Sequence, residues 1–149
     1  MRATNSSLGD ADLDREGFRR LAEERITEAQ ALLDAGLASG AYYLAGYSIE
    51  CALKASICRL FGAQELPDKA TVDRSYSHDL SQLIKVAGLE GELRQQEAAD
   101  PDFQINWTIA KDWTVASRYD FWSDGQAAEL LEAVADPEHG VQTWLRLHW

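Results

Sequence analysis

The stretch AYYLAGYSIECALKASIC, residues 41–58, decides the fold. Its only charges are Glu50 and Lys54. Leu44, Tyr47, Cys51, Ala55 and Cys58 recur on one helical face, and Tyr43, Gly46, Ile49, Leu53, Ile57 and Leu60 cover much of the rest. A helix that is apolar nearly all round is a buried helix. Ala45, Gly46, Ala52 and Ser56 leave room for neighbours to come close. The stretch therefore predicts a helix, capped by Ser39 and stopped by Gly62, that forms the centre of a bundle or also joins a subunit interface. Its apolar surface is more than one bundle easily covers, which predicts a homodimer.

Other helices extend outward from this one. Asp12 or Asp14 caps a helix running to about Ala35, with Gly36 as its stop. Phe18, Leu21, Ala22, Arg25, Ile26, Ala29, Leu32 and Leu33 give it one apolar stripe. Residues 63–76 read as a polar connection holding Pro67. Ser77 caps a short helix, His78 to Ala87, that turns Leu80, Leu83, Ile84 and Ala87 inward and stops at Gly88. A further helical piece spans about Glu90 to Ala99. Ser123 caps a helix to about Ala135, and Asp136-Pro137 reads as a fresh cap with proline at the first helical position. The last helix carries Trp144, Leu145, Leu147 and Trp149.

Residues 103–122 admit two readings. Phe103, Ile105, Trp107 and Ile109 alternate as in a strand, whereas Ile105, Ile109, Trp113 and Ala116 fit a helix. No second strand is available for pairing, so helix is expected. The fold class is then all-α, an up-and-down bundle of four to five main helices, with residues 1–10 a flexible tail and 11–149 one domain. The 149 residues suit a single domain, which at this size holds a core without metal or disulfide.

Charge narrows the partners. The formal net charge is −11; residues 1–70 hold 11 acids and 8 bases, and residues 71–149 hold 14 acids and 6 bases. Such a balance disfavours DNA and anionic membrane surfaces as partners. No apolar run in Met1–Asp10 resembles a signal peptide, and Cys51 and Cys58 lie about 10.5 Å apart along a helix, too far for a disulfide or one shared metal. Both read as small buried residues, and the expected location is the cytoplasm.

Three constellations are able to carry chemistry. In Arg74-Ser75-Tyr76-Ser77-His78-Asp79, Arg74 suits a phosphate, Tyr76 a base and His78 a proton, as a metal-independent ribonuclease requires; the structural alternative is a helix cap with an exposed first-turn histidine. Glu50 and Lys54 form an i,i+4 pair, read first as a partly buried ion pair that fixes helix register. Arg118-Tyr119-Asp120 stands beside Trp107, Trp113, Phe121 and Trp122, where aromatic packing is expected over base stacking because the surroundings are acidic. His139 and His148 are isolated and give no metal-ligand spacing with His78. No glycine-rich phosphate loop or other local enzyme motif is present, and neither a metal nor a cofactor is assigned.

These residues resemble a known family. Residues 41–55, with Glu50 and the Leu53-Lys54-Ala55 triplet, resemble the second helix of HEPN domains. Ser77-His78-Asp79-Leu80-Ser81-Gln82-Leu83 resembles their His-x-Leu-x-x-Leu helix start, and Arg118-Tyr119 an Arg-Tyr pair near their end. The order matches over about residues 15–147. The resemblance implies a helical bundle, commonly a homodimer with a cleft between protomers, and a link to nucleotides or RNA. Some HEPN proteins are metal-independent ribonucleases with an Arg-x4–6-His motif; others bind, or partner small nucleotidyltransferases in toxin–antitoxin and defence systems. Here Arg74 and His78 have three residues between them, one short of that motif, and Arg74 precedes the helix cap. The expectation is a non-catalytic nucleotide- or partner-binding homodimer, with Glu50, Lys54, Tyr76, Arg118 and Tyr119 as signature or nucleotide-contacting positions. The alternatives are a ribonuclease using Arg74 and His78, and a purely structural scaffold.

Overall fold

The computed structural model describes residues 14–63 and 68–149. The expected tail at 1–10, the cap at Asp12 and Pro67 of the expected polar connection lie outside them. The described residues form α-helices and contain no strand: α1 (Arg15–Asp34), α2 (Ala38–Ala63), α3 (Lys69–Ser75), α4 (Leu80–Val86), α5 (Glu90–Ala99), α6 (Pro101–Lys111), α7 (Asp124–Ala135) and α8 (Val141–Leu145), with a 3-10 turn at Val115–Tyr119 between α6 and α7. This is an all-α bundle built around α2.

From Ala45 to Ile57 every α2 residue except Tyr47 and Lys54 is buried. The cover comes from α1, α7, α4, α8 and the 3-10 turn. The apolar surface of α2 is thus largely satisfied inside one chain, so the excess expected to call for a second copy is not found, and the homodimer rests on the family resemblance. Gly46 permits the closest approach. A Cβ added there would lie 2.1 Å from the Trp113 indole, which is itself 2% exposed. No other residue type leaves room for that ring.

Local chemistry sets the helix ends. Asp14 caps α1, its carboxylate accepting from the Gly17 N–H at 2.8 Å. The helix closes on Gly36 at φ +77°, with Leu37 N–H donating to Leu32 O and Gly36 N–H to Leu33 O, the six-to-one and five-to-two bonds of a Schellman end. Gly88, at φ +71°, closes α4 in the same way. Ser123 and Gln126 form a reciprocal capping box at the start of α7.

Several expected boundaries shift. Ser39 does not cap α2, which starts at Ala38; its hydroxyl instead accepts from the Trp122 backbone N–H at 2.9 Å. The connection at 63–76 contains a helix, α3, capped by Asp68, whose carboxylate accepts from Thr71 N–H at 2.7 Å. The cap of the next helix is Asp79 rather than Ser77: Asp79 accepts from Gln82 N–H at 2.8 Å, while Ser77 Oγ accepts from Asp79 N–H. Asp136 accepts from the N–H groups of Glu138 and His139, yet Pro137 opens only a turn, and α8 begins after Gly140.

The ambiguous region is helical over 101–111, with Asp100 as cap and Pro101 in the first turn. Its inward face is Phe103, Trp107 and Ala110, and Ile105 is 58% exposed, contrary to the expected face. The helix stops before Trp113, which turns in to meet Gly46. Near the C-terminus Trp144, Leu145 and Trp149 are buried and Leu147 is exposed. Arg15 donates to the Trp149 carbonyl at 2.5 Å and Arg19 lies over its ring at 5.6 Å, fastening this end to α1.

Candidate functional site

Glu50 is the one charged side chain in the interior of α2 that is almost fully enclosed, at 2% exposure. An enclosed carboxylate needs partners, because desolvation penalises an unpaired charge. It has two. Lys54 Nζ lies 3.6 Å from Oε2, one helical turn on, as the spacing predicted. His78 Nδ1 lies 2.7 Å from Oε1 and comes from the loop between α3 and α4. The His78 side chain is 55% exposed while its Nδ1 is held.

Around this trio lies a cleft of about 440 Å³ between α1, α2 and α3. Phe18, Ile57, Phe61 and Val72 form its apolar wall, and Tyr47, Cys58, Ser75 and Tyr76 line it with Glu50, Lys54 and His78. Tyr76 is 72% exposed and stands at the rim. Burial pushes the Tyr47 phenol up to about 12 and raises the Cys58 thiol above its ordinary value. Cys51, buried deeper, is pushed up to about 12. Both cysteines are free, and neither is a ready thiolate near neutral pH. Cys58 is half-buried rather than fully enclosed.

The structure thus brings Glu50, Lys54, Tyr76 and His78 to one cleft. It does not bring Arg74 there. Arg74, in the last turn of α3, donates to Thr71 Oγ1 at 3.3 Å and lines a separate depression of about 650 Å³ with Asp79, Gln82 and Lys85. Arg118 and Tyr119 lie in the 3-10 turn, with the guanidinium 4.8 Å over the Tyr119 ring, and neither lines the cleft.

The cleft residues not expected from the sequence as site residues are Phe18, Tyr47, Ile57, Cys58 and Phe61, and Val72 and Ser75 on the unrecognised α3. Tyr47 carried a signal, as a polar tip on a face otherwise apolar. Ser75 and Val72 carried none without α3.

A second cluster joins distant segments. His139 Nδ1 lies 2.7 Å from Asp100 Oδ2, and its Nε2 lies 3.8 Å from Asp102 and 3.6 Å from Glu138. The Asp100 bond raises the His139 pKa, and the same bond lowers that of Asp100. Asp100, Asp102 and His139 offer oxygen and nitrogen atoms within 4.8 Å of one another, a grouping invisible in histidine spacing alone. With both ring nitrogens facing carboxylates it reads as an ion-pair cluster on the surface. His148 packs edge-on against Trp144 at 4.9 Å, as a packing residue, and burial lowers its pKa.

No protein-family model matches this chain, and no curated protein or solved structure is significantly similar to it. The resemblance to HEPN domains therefore rests on residues 41–55, 77–83 and 118–119 alone.

Proposed function

We propose that this chain is a HEPN-like cytoplasmic protein that acts as a homodimer and binds a nucleotide, free or at the end of an RNA, in the cleft between α1, α2 and α3, without cleaving it. A small nucleotidyltransferase of a toxin–antitoxin or defence system is the partner that the resemblance suggests. One observation carries the binding reading: Glu50, Lys54, Tyr76 and His78, drawn from two quoted motifs, meet around one 440 Å³ cleft with an apolar wall. Such a cleft suits a ligand with a flat apolar part and an anionic end. Tyr76 offers a ring for a base at the rim, Lys54 offers a donor to a phosphate, and His78, whose Nδ1 donates to Glu50, adds a second donor only in its doubly protonated form. Arg74 lines the neighbouring depression, so ribonuclease chemistry by an Arg74/His78 pair has no shared site within one chain.

The test is calorimetric titration with adenosine monophosphate and with a dinucleotide, for the wild type, Tyr76→Ala and His78→Ala. Saturable binding that both substitutions weaken supports the reading. Absence of heat and of any thermal shift with the whole set of mono- and dinucleotides overturns it. Light scattering that returns a 16.6 kDa species overturns the homodimer.

A further inference from the structure

The end of the bundle where α1 turns into α2 carries an aromatic projection. Phe121 is 98% exposed, Tyr119 74% and Leu37 56%. Large apolar groups at this exposure are unusual together and mark contact surfaces when they are held rigidly. Here they are held. The Trp122 ring stacks on Tyr42 at 3.7 Å between centroids, with planes 8° apart. Trp122 Nε1–H donates to Ser117 O at 3.1 Å, and its backbone N–H donates to Ser39 Oγ. Ser123, the next residue, is locked as the cap of α7. Phe121 therefore projects from a segment pinned immediately after it, and ordering it on binding has a small backbone entropy cost. Beside it a cleft of about 430 Å³ is lined by Leu37, Ser39, Trp122 and Asp124.

The electrostatics of this end select the partner. Asp120, exposed, directly precedes Phe121. Asp124 adds a second acid at the cleft. The bases of the same segment are Lys111 and Arg118, and the Arg118 guanidinium is engaged over the Tyr119 ring. A two-fold pairing of this surface with itself would bring like charges together, which disfavours a second copy. A partner with an apolar pocket rimmed by lysine or arginine satisfies both the projecting ring and the acids.

We infer that the Tyr119–Phe121–Trp122 face is a docking surface for a basic segment of another protein, with Phe121 as its buried anchor and Asp120 and Asp124 as the charged rim. The surface is independent of the nucleotide cleft, and its test is read separately.

The probe is a fluorescein-labelled amphipathic peptide of lysine and leucine, followed by fluorescence anisotropy on the full chain. Wild type binds it, more weakly as salt rises. Phe121→Ala, at a position too exposed to unfold the chain, weakens binding by about tenfold or more. The pair Asp120→Asn with Asp124→Asn weakens it at low salt, whereas Tyr76→Ala leaves it unchanged. No binding to the wild type overturns the inference. So does equal binding to Phe121→Ala, or equal binding of a matched leucine–glutamate peptide. A dimer that Phe121→Ala converts to a monomer also overturns it, since a second copy would then occupy the face.

Discussion

His78 Nδ1 and Glu50 Oε1 meet at 2.7 Å across 28 residues of sequence, joining the α3–α4 loop to the buried helix of the bundle. The bond settles a carboxylate that is otherwise enclosed, and it fixes which face of the imidazole looks outward. Stability and the orientation of the imidazole therefore share one contact. Glu50→Ala removes the partner of both His78 and the largely enclosed Lys54 and should destabilise the fold by about 3–5 kcal/mol. His78→Ala leaves Lys54 in place but takes the 2.7 Å hydrogen bond of the enclosed carboxylate, and should cost about 1.5–3 kcal/mol. Urea unfolding of the two variants checks the order.

Gly46 faces the Trp113 indole with no space for a methyl group. Gly46→Ala should destabilise by about 1–3 kcal/mol through overpacking. Because the two sites are in contact, a smaller ring at 113 should relieve part of that loss. A double-mutant cycle with Trp113→Leu is expected to be non-additive, with the double variant more stable than the sum of the singles predicts.

Gln142 is fully buried, and neither its amide nitrogen nor its amide oxygen has a hydrogen-bond partner among the described residues. Replacing an unsatisfied buried amide with an apolar group of like volume removes a desolvation penalty. Gln142→Met should stabilise the protein by about 1–3 kcal/mol, measured as a rise in thermal midpoint.

The Asp100–His139 pair makes stability depend on pH in both directions. His139 has its pKa raised by the bond to Asp100, so its contribution is present below the unfolded histidine pKa and fades as pH rises through the folded one. Asp100 has its pKa lowered by the bond to His139, so its contribution is present above the unfolded carboxyl value and fades as pH falls through the folded one. The pair is fully formed between about pH 4 and 6.5. His139→Gln should flatten the alkaline side of the stability profile, and NMR titration of His139 should give a value above that of a free histidine. A value at or below it would contradict the pairing.

Much of the bundle was legible because its helices begin and end on local chemistry. The Ser123 cap, the Gly36 and Gly88 ends and the apolar circumference of α2 are all properties of neighbouring residues. The misreadings arose where two local candidates competed or where a distant group decided. Ser77 and Asp79 both accept hydrogen bonds well, and only geometry assigns the cap to Asp79. Ser39 looked like a cap, but its hydroxyl is taken by Trp122, 83 residues away. The seven residues of α3 were too few to show a periodicity against their polar setting. At the site, the Glu50–Lys54 pair followed from spacing, whereas the meeting of Glu50 with His78 and the parting of Arg74 from it are tertiary facts.

Asp100 is placed to serve two masters with its two oxygens. Oδ1 accepts from the Asp102 and Phe103 N–H groups that open α6, and Oδ2 grips His139 on the far linker. Neither near relative of aspartate can replace it. Asparagine keeps the opening of the helix but surrenders the charge, and glutamate keeps the charge while its longer arm abandons the helix. This corner of the molecule is therefore a place where even the mildest exchange is felt in two elements at once.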